Sequence, residues 1–137
     1  MAKSLDTHEA LIYVMVTMSA VDRDITDTEL SRIGDLVARL PVFADFKSDG
    51  LIKTAQACGE VMSKPDGLEA VLQTIAASIP TRLHETAYAL AVEIAAVDLE
   101  VKQEELRFLQ LLRDHLELDK LAVAAIERGA RARHQVL

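Results

Sequence analysis

Two stretches of this chain are apolar almost without interruption. Each runs into a short acidic segment and then into a stripe of aliphatic residues. The first stretch, Ala10 to Val21, is broken only by Thr17 and Ser19. An apolar surface all round predicts a helix buried on most sides. Beyond it, Leu30, Ile33, Leu36, Val37 and Leu40 recur at helical spacing, so a one-sided helix is predicted until Pro41 ends it. The second stretch, Thr86 to Val97, repeats the texture, and a helix from about Gln103 to Leu116 follows with Leu106, Leu109, Leu112 and Leu116 on its stripe.

The polar positions mark the helix starts. Asp6 with Glu9, and Thr26 with Glu29, have the spacing of capping boxes. Between the two halves, Val42 to Lys47 is a connector whose Phe43 and Phe46 plug the core. A helix is expected from about Ser48 to Ser63, with Gly59 inside it allowing close helix packing at some cost in propensity. A turn at Lys64–Gly67 leads to a short helix, capped by Asp66 and Glu69, that ends near Ile79. Pro80 opens the next helix with Thr81 as its cap. A last, Ala-rich helix runs from Asp119 to about Arg131. The basic tail with Arg128, Arg131, Arg133 and His134 is frayed or lies on the surface.

The chain repeats itself. With Asp22 laid on Asp98, residues 8–40 align with 84–116. His8/His84, Glu9/Glu85, Val16/Val92, Leu36/Leu112 and Leu40/Leu116 are then identical. So is most of one acidic signature, Ala-Val-Asp-x-acid-Ile/Val-x-x-x-Glu-Leu, which reads Ala20 to Leu30 and again Ala96 to Leu106. Repeated helical hairpins share a core by stacking. The prediction is an all-α, compact bundle of about seven helices, one domain over residues 1–137, with pseudo-repeats at about 6–40 and 82–116 and the two apolar helices near a pseudo-twofold axis.

Composition narrows the class. Of 137 residues half are hydrophobic, and only five Gly and three Pro are available for turns, which disfavours a sandwich or barrel. The net charge of −7 argues against nucleic acid and against anionic membranes as partners. A single cysteine, Cys58, suits a reducing compartment and reads as core packing beside Met62. No signal peptide is visible, and the apolar runs are short for a membrane span. Serine-triad order, phosphate-binding glycine loops and paired-cysteine metal spacing are all missing from the sequence.

Candidate chemistry lies in the acidic signatures. Asp22 and Asp98 fall where helices end, and a helix C-terminus carries partial negative charge, so acids there need compensation. Capping explains Glu29 through Thr26, but Lys102 takes the place of Thr26 in the second copy and is a poor cap. Arg23 could neutralise the first corner, yet Leu99 stands in its place in the second. Two readings stay open: a divalent-cation site and a structural corner. An EF-hand does not fit, because Asp27 and Ile33 occupy the loop positions that need Gly and Glu. Zinc does not suit signatures that hold neither His nor Cys. Glu93, matching Thr17 in the repeat, marks a solvated stripe or a buried acid with a raised pKa. His8 and His84 stand about 21 Å along a helix from their Asp partners and read as surface residues at helix starts.

The paired signatures, with the phrase Ala10-Leu11-Ile12-Tyr13-Val14-Met15-Val16 leading to Ser19-Ala20-Val21-Asp22, resemble the tellurite-resistance TerB-like family over nearly the whole chain. The resemblance implies an all-α fold of two related halves and a role in bacterial resistance to tellurite and other stresses. It implies a metal site on Asp22, Asp24, Glu29, Asp98, Glu100 and Glu105; such oxygen ligands favour a hard divalent cation such as calcium, magnesium or manganese. It also implies protein partners of a resistance complex, membrane-embedded and cytoplasmic, and a cytoplasmic location peripheral to the inner membrane through them. Many members carry Gly after the motif Asp; Arg23 and Leu99 stand there, without the backbone freedom of Gly. The expectation is a non-enzymatic cation-binding and docking protein. The rivals are a metal-independent scaffold and, third, a metal-dependent hydrolase.

Overall fold

A computed structural model of the chain describes residues 5–21, 24–97 and 101–137. Seven α-helices are found among the described residues: α1 (Thr7–Ser19), α2 (Asp27–Arg39), α3 (Leu51–Met62), α4 (Gly67–Ser78), α5 (His84–Ala96), α6 (Gln103–Leu116) and α7 (Lys120–Arg133). The described residues contain no strand.

The two apolar helices form the centre. Every residue of α1 from Ala10 to Ser19 is buried, and α5 buries Ala87, Tyr88, Leu90 to Val92, Ile94 and Ala95. They pack on each other, and around them α2 and α3 pack on α1 while α6 and α7 pack on α5. The repeat therefore reaches a third helix in each half. Matched positions show it: Thr17 of α1 meets Cys58 of α3 at 3.4 Å, and Glu93 of α5 meets Arg133 of α7 at 3.2 Å. Helix α4 stands outside the repeat and packs on α1, α3 and α6.

Helix starts follow their caps where the sequence supplies one. Asp6 accepts from the His8 N–H at 3.0 Å while Glu9 accepts from the Asp6 N–H at 3.3 Å. Asp119 likewise caps α7 through the Leu121 N–H at 2.8 Å. Two expected caps are not made. Asp66 adopts a left-handed backbone, φ 58°, and caps nothing with its side chain; Glu69 instead bonds Gln73 and His115. The reason is the tightness of the turn. A Cβ on Gly67 would lie 2.5 Å from the carbonyl oxygens of Val61 and Met62, so the chain must reverse sharply at Asp66. Thr81 also caps nothing, because a 3₁₀ turn over Thr81–Leu83 precedes α5. A similar turn, Ser48–Gly50, precedes α3.

Three other expectations change. His8 and His84 are joints rather than surface residues. The His8 Nε2 lies 2.8 Å from the Val42 carbonyl and its ring packs against Phe43 and Phe46. The His84 ring reaches the carbonyls of Leu116, at 3.1 Å, and Ile79, at 2.9 Å. Each matched histidine thus ties the start of a central helix to the end of its own hairpin. Gly59 lies against no neighbour: nothing stands within 4 Å of where its Cβ would be. Leu106 is 53 % exposed, whereas Phe108, Leu109, Leu112 and Leu116 take the buried face of α6. Leu106 matches Leu30, and both line grooves, although Leu30 also packs against the core.

Candidate functional site

At the first corner, α1 ends at Ser19 and α2 begins after Thr26. The Thr26 backbone N–H and hydroxyl each donate to Glu29 Oε1 at 3.0 Å, and the Glu29 N–H donates back to Thr26 Oγ1 at 3.1 Å. This predicted box holds Glu29 nearly buried, 8 % exposed. Asp24 is exposed on the rim of a recess of about 600 Å³ enclosed by the end of α1, the start of α2 and α3. Ser19, the last residue of α1, has a buried hydroxyl with no hydrogen-bond partner among the described residues.

At the second corner, Lys102 stands at the N-cap of α6 with an extended backbone and makes no side-chain cap. Glu105 is nevertheless as buried as Glu29, 8 % exposed. A second recess, of about 550 Å³, lies between α5, α6 and α7. The two recesses correspond through the repeat: Ala20/Ala96, Ile25/Val101 and Leu30/Leu106 line them in matched pairs, and no residue is common to both.

Of the six expected metal ligands, the structure brings Asp24 and Glu29 to one corner and Glu105 to the other. Asp22, Asp98 and Glu100 lie outside the described residues. Among the described residues, no three His, Cys, Asp or Glu side chains converge as metal ligands would. The donors in place are carboxylates, the type that suits calcium, magnesium or manganese. One oxygen of Glu29 is already engaged by its cap.

Glu93 takes neither of its expected forms unchanged. Burial alone would push its carboxyl up, but hydrogen bonds from Arg133 and His134, and their charge, more than offset this and hold it below the usual range. Its side chain is 22 % exposed and ties α5 to the end of α7. A polar lock that sequence reading missed lies nearby. Tyr88, fully buried, donates to Glu127 of α7, and Arg113 of α6 bonds the same hydroxyl at 2.9 Å. Burial, then the Glu127 bond, pushes the Tyr88 phenol up to about 12. Nothing in the spacing of residues 88, 113 and 127 could have announced it.

The architecture defines a class: an all-α bundle of two matched three-helix units, with an acidic corner and a groove in each. The family model described as "Tellurite resistance protein TerB" matches residues 8–128, and the chain belongs to that family. Comparison with curated proteins and with solved structures gives no match. Among the described residues no helix is long and apolar enough to cross a membrane.

Proposed function

We propose that this chain is a non-enzymatic, cytoplasmic binding module that takes a divalent cation at its acidic corners and docks to partner proteins of a stress- or tellurite-resistance complex. One observation carries the reading. Glu29 and Glu105 occupy matched positions and are equally buried, although Thr26 gives one a capping box and Lys102 gives the other none. A full capping box is thus not shared by the two copies, although the acid is. A cation neutralising the corner carboxylates would relieve the conflict with a helix C-terminus argued above for Asp22 and Asp98. The hairpins would tighten, and the angle of the faces that α2 and α6 present to a partner would be set.

Calorimetry and thermal melts with calcium, magnesium and manganese, on the wild type and on Asp22→Ala/Asp98→Ala, test the cation half. Heat of binding and a raised Tm are expected for the wild type with at least one ion, both lost in the double variant. No heat and no shift with any ion would overturn it. The metal-independent scaffold is favoured by the engagement of Glu29 with Thr26. It expects lower stability in the double variant and no ion dependence in either protein.

A further inference from the structure

The two matched recesses share an apolar frame but differ in charge. The second is trimmed by Arg113, Arg131 and His134, with Glu127 as its acid. The first is trimmed by Asp24 and Asp27, and no Lys or Arg lines it among the described residues. A shallower extension, sharing Asp27, Leu30 and Ile52, adds Asp35 and again no Lys or Arg among the described residues. Since the fold is common to both halves, the negative trim of the first groove is not a consequence of the fold.

The shape of this groove has a clear origin. Helices α2 and α3 both pack on α1 but scarcely touch each other. The Cβ position of Gly34 on α2 lies 3.5 Å from the Leu51 side chain of α3, whereas nothing stands within 4 Å of the Cβ position of Gly59 further along α3. A glycine inside a helix costs roughly 1 kcal/mol relative to Ala. Gly59 has no neighbour to justify that cost, and any side chain there would stand in the groove. Ile52, on the same helix, is 58 % exposed at the groove wall. From Ile52 to Ser63 the groove follows α3 for about 16 Å, the length of roughly three helical turns.

We propose that the α2–α3 groove docks a cationic amphipathic helix of a partner protein. Its aliphatic residues lie over Gly59 between Leu30 and Ile52, and its Lys or Arg residues face Asp27 and Asp35. This is the helix-in-groove mode, in which anchors one turn apart supply affinity and flanking charge supplies orientation. The proposal rests on the docking half of the function above and needs no bound cation.

The test is an NMR titration of the full chain, in chelator, with a synthetic leucine–lysine amphipathic helix of at least about three turns. Amide shifts are expected to concentrate on Ile25, Leu30, Ile52, Gln56 and Gly59. Gly59→Leu fills the groove and favours the helix, so it stays folded, and it should weaken binding at least tenfold. Asp27→Asn/Asp35→Asn, outside the suggested metal ligands, should weaken it several-fold and flatten its salt dependence. Several results would overturn the proposal: equal binding of a leucine–glutamate helix, shifts centred on Val101 and Leu106, or affinity unchanged in Gly59→Leu. Sedimentation showing a self-association that Gly59→Leu abolishes would also overturn it, by assigning the groove to a second copy. Because chelator is present throughout, failure here leaves the cation reading standing, and failure of the calorimetry leaves this one.

Discussion

The Cys58 thiol has no exposed surface and lies between Thr17 Oγ1 and the Tyr13 carbonyl. Burial pushes it from 9.0 up to about 11, partly offset by the Thr17 contact. A thiol of this kind is inert at neutral pH. Its titration makes a stability prediction. Well below pH 9 both folded and unfolded chains keep the proton, and the contribution is complete. Above that, the unfolded chain ionises first, so stability falls as pH rises toward 11, by roughly 2–3 kcal/mol from this group. Urea melts across the window should show a shallower alkaline loss for Cys58→Ala than for the wild type. Equal slopes would assign the loss to other groups, Tyr88 first among them. The buried, packed role of Cys58 was legible from one cysteine in an aliphatic helix. The joints that His8 makes to Val42 and His84 makes to Leu116 were not, because those carbonyls lie more than thirty residues away.

Helices α1 and α2 stood out in the sequence because period and cap agreed, and α5 and α6 stood out by apolar pattern alone; the bounds of all four fall close to the expected ones. The starts of α3 and α5 did not, since a 3₁₀ turn leaves no residue pattern as clear as a capping box. The two corners permit a direct comparison of cap chemistry. Glu105 stands at N3 of α6 as Glu29 does in α2, and only the Thr of the box is replaced. Lys102→Thr is expected to complete the box and raise stability by about 0.5–1 kcal/mol, read as a higher midpoint in urea with unchanged slope. A fall instead would show that Lys102 serves the second corner by its charge more than a hydroxyl would by capping. Leu106 carries the related lesson that an apolar residue on a helical stripe can border a groove instead of the core. Its repeat partner Leu30 lines the other groove while also packing against the core.

For the whole molecule, the central α1–α5 contact means that neither half has a complete core of its own. The chain has two tyrosines and no tryptophan, with Tyr13 in α1 and Tyr88 in α5. Tyr13→Phe and Tyr88→Phe therefore each leave one reporter, one per half. Tyrosine emission and far-UV circular dichroism should give coincident denaturation transitions within each variant. The Tyr88→Phe midpoint should lie lower, because Glu127 and Arg113 lose their buried partner. Separate transitions for the two probes within either variant would mean that the halves fold independently.

The sequence by itself determined the class, the repeat, the buried central helices, the two long hairpins and the acidic corners. These follow from local rules of apolar period, capping spacing and internal identity, which act between residues a few positions apart or in matched copies. Tertiary structure alone decided that α3 and α7 are counterparts, that Gly59 borders open space, and that the described residues lining the matched grooves differ in charge. Those facts depend on which side chains from distant segments converge, and packing geometry, unlike periodicity, is not written in any single window of the chain.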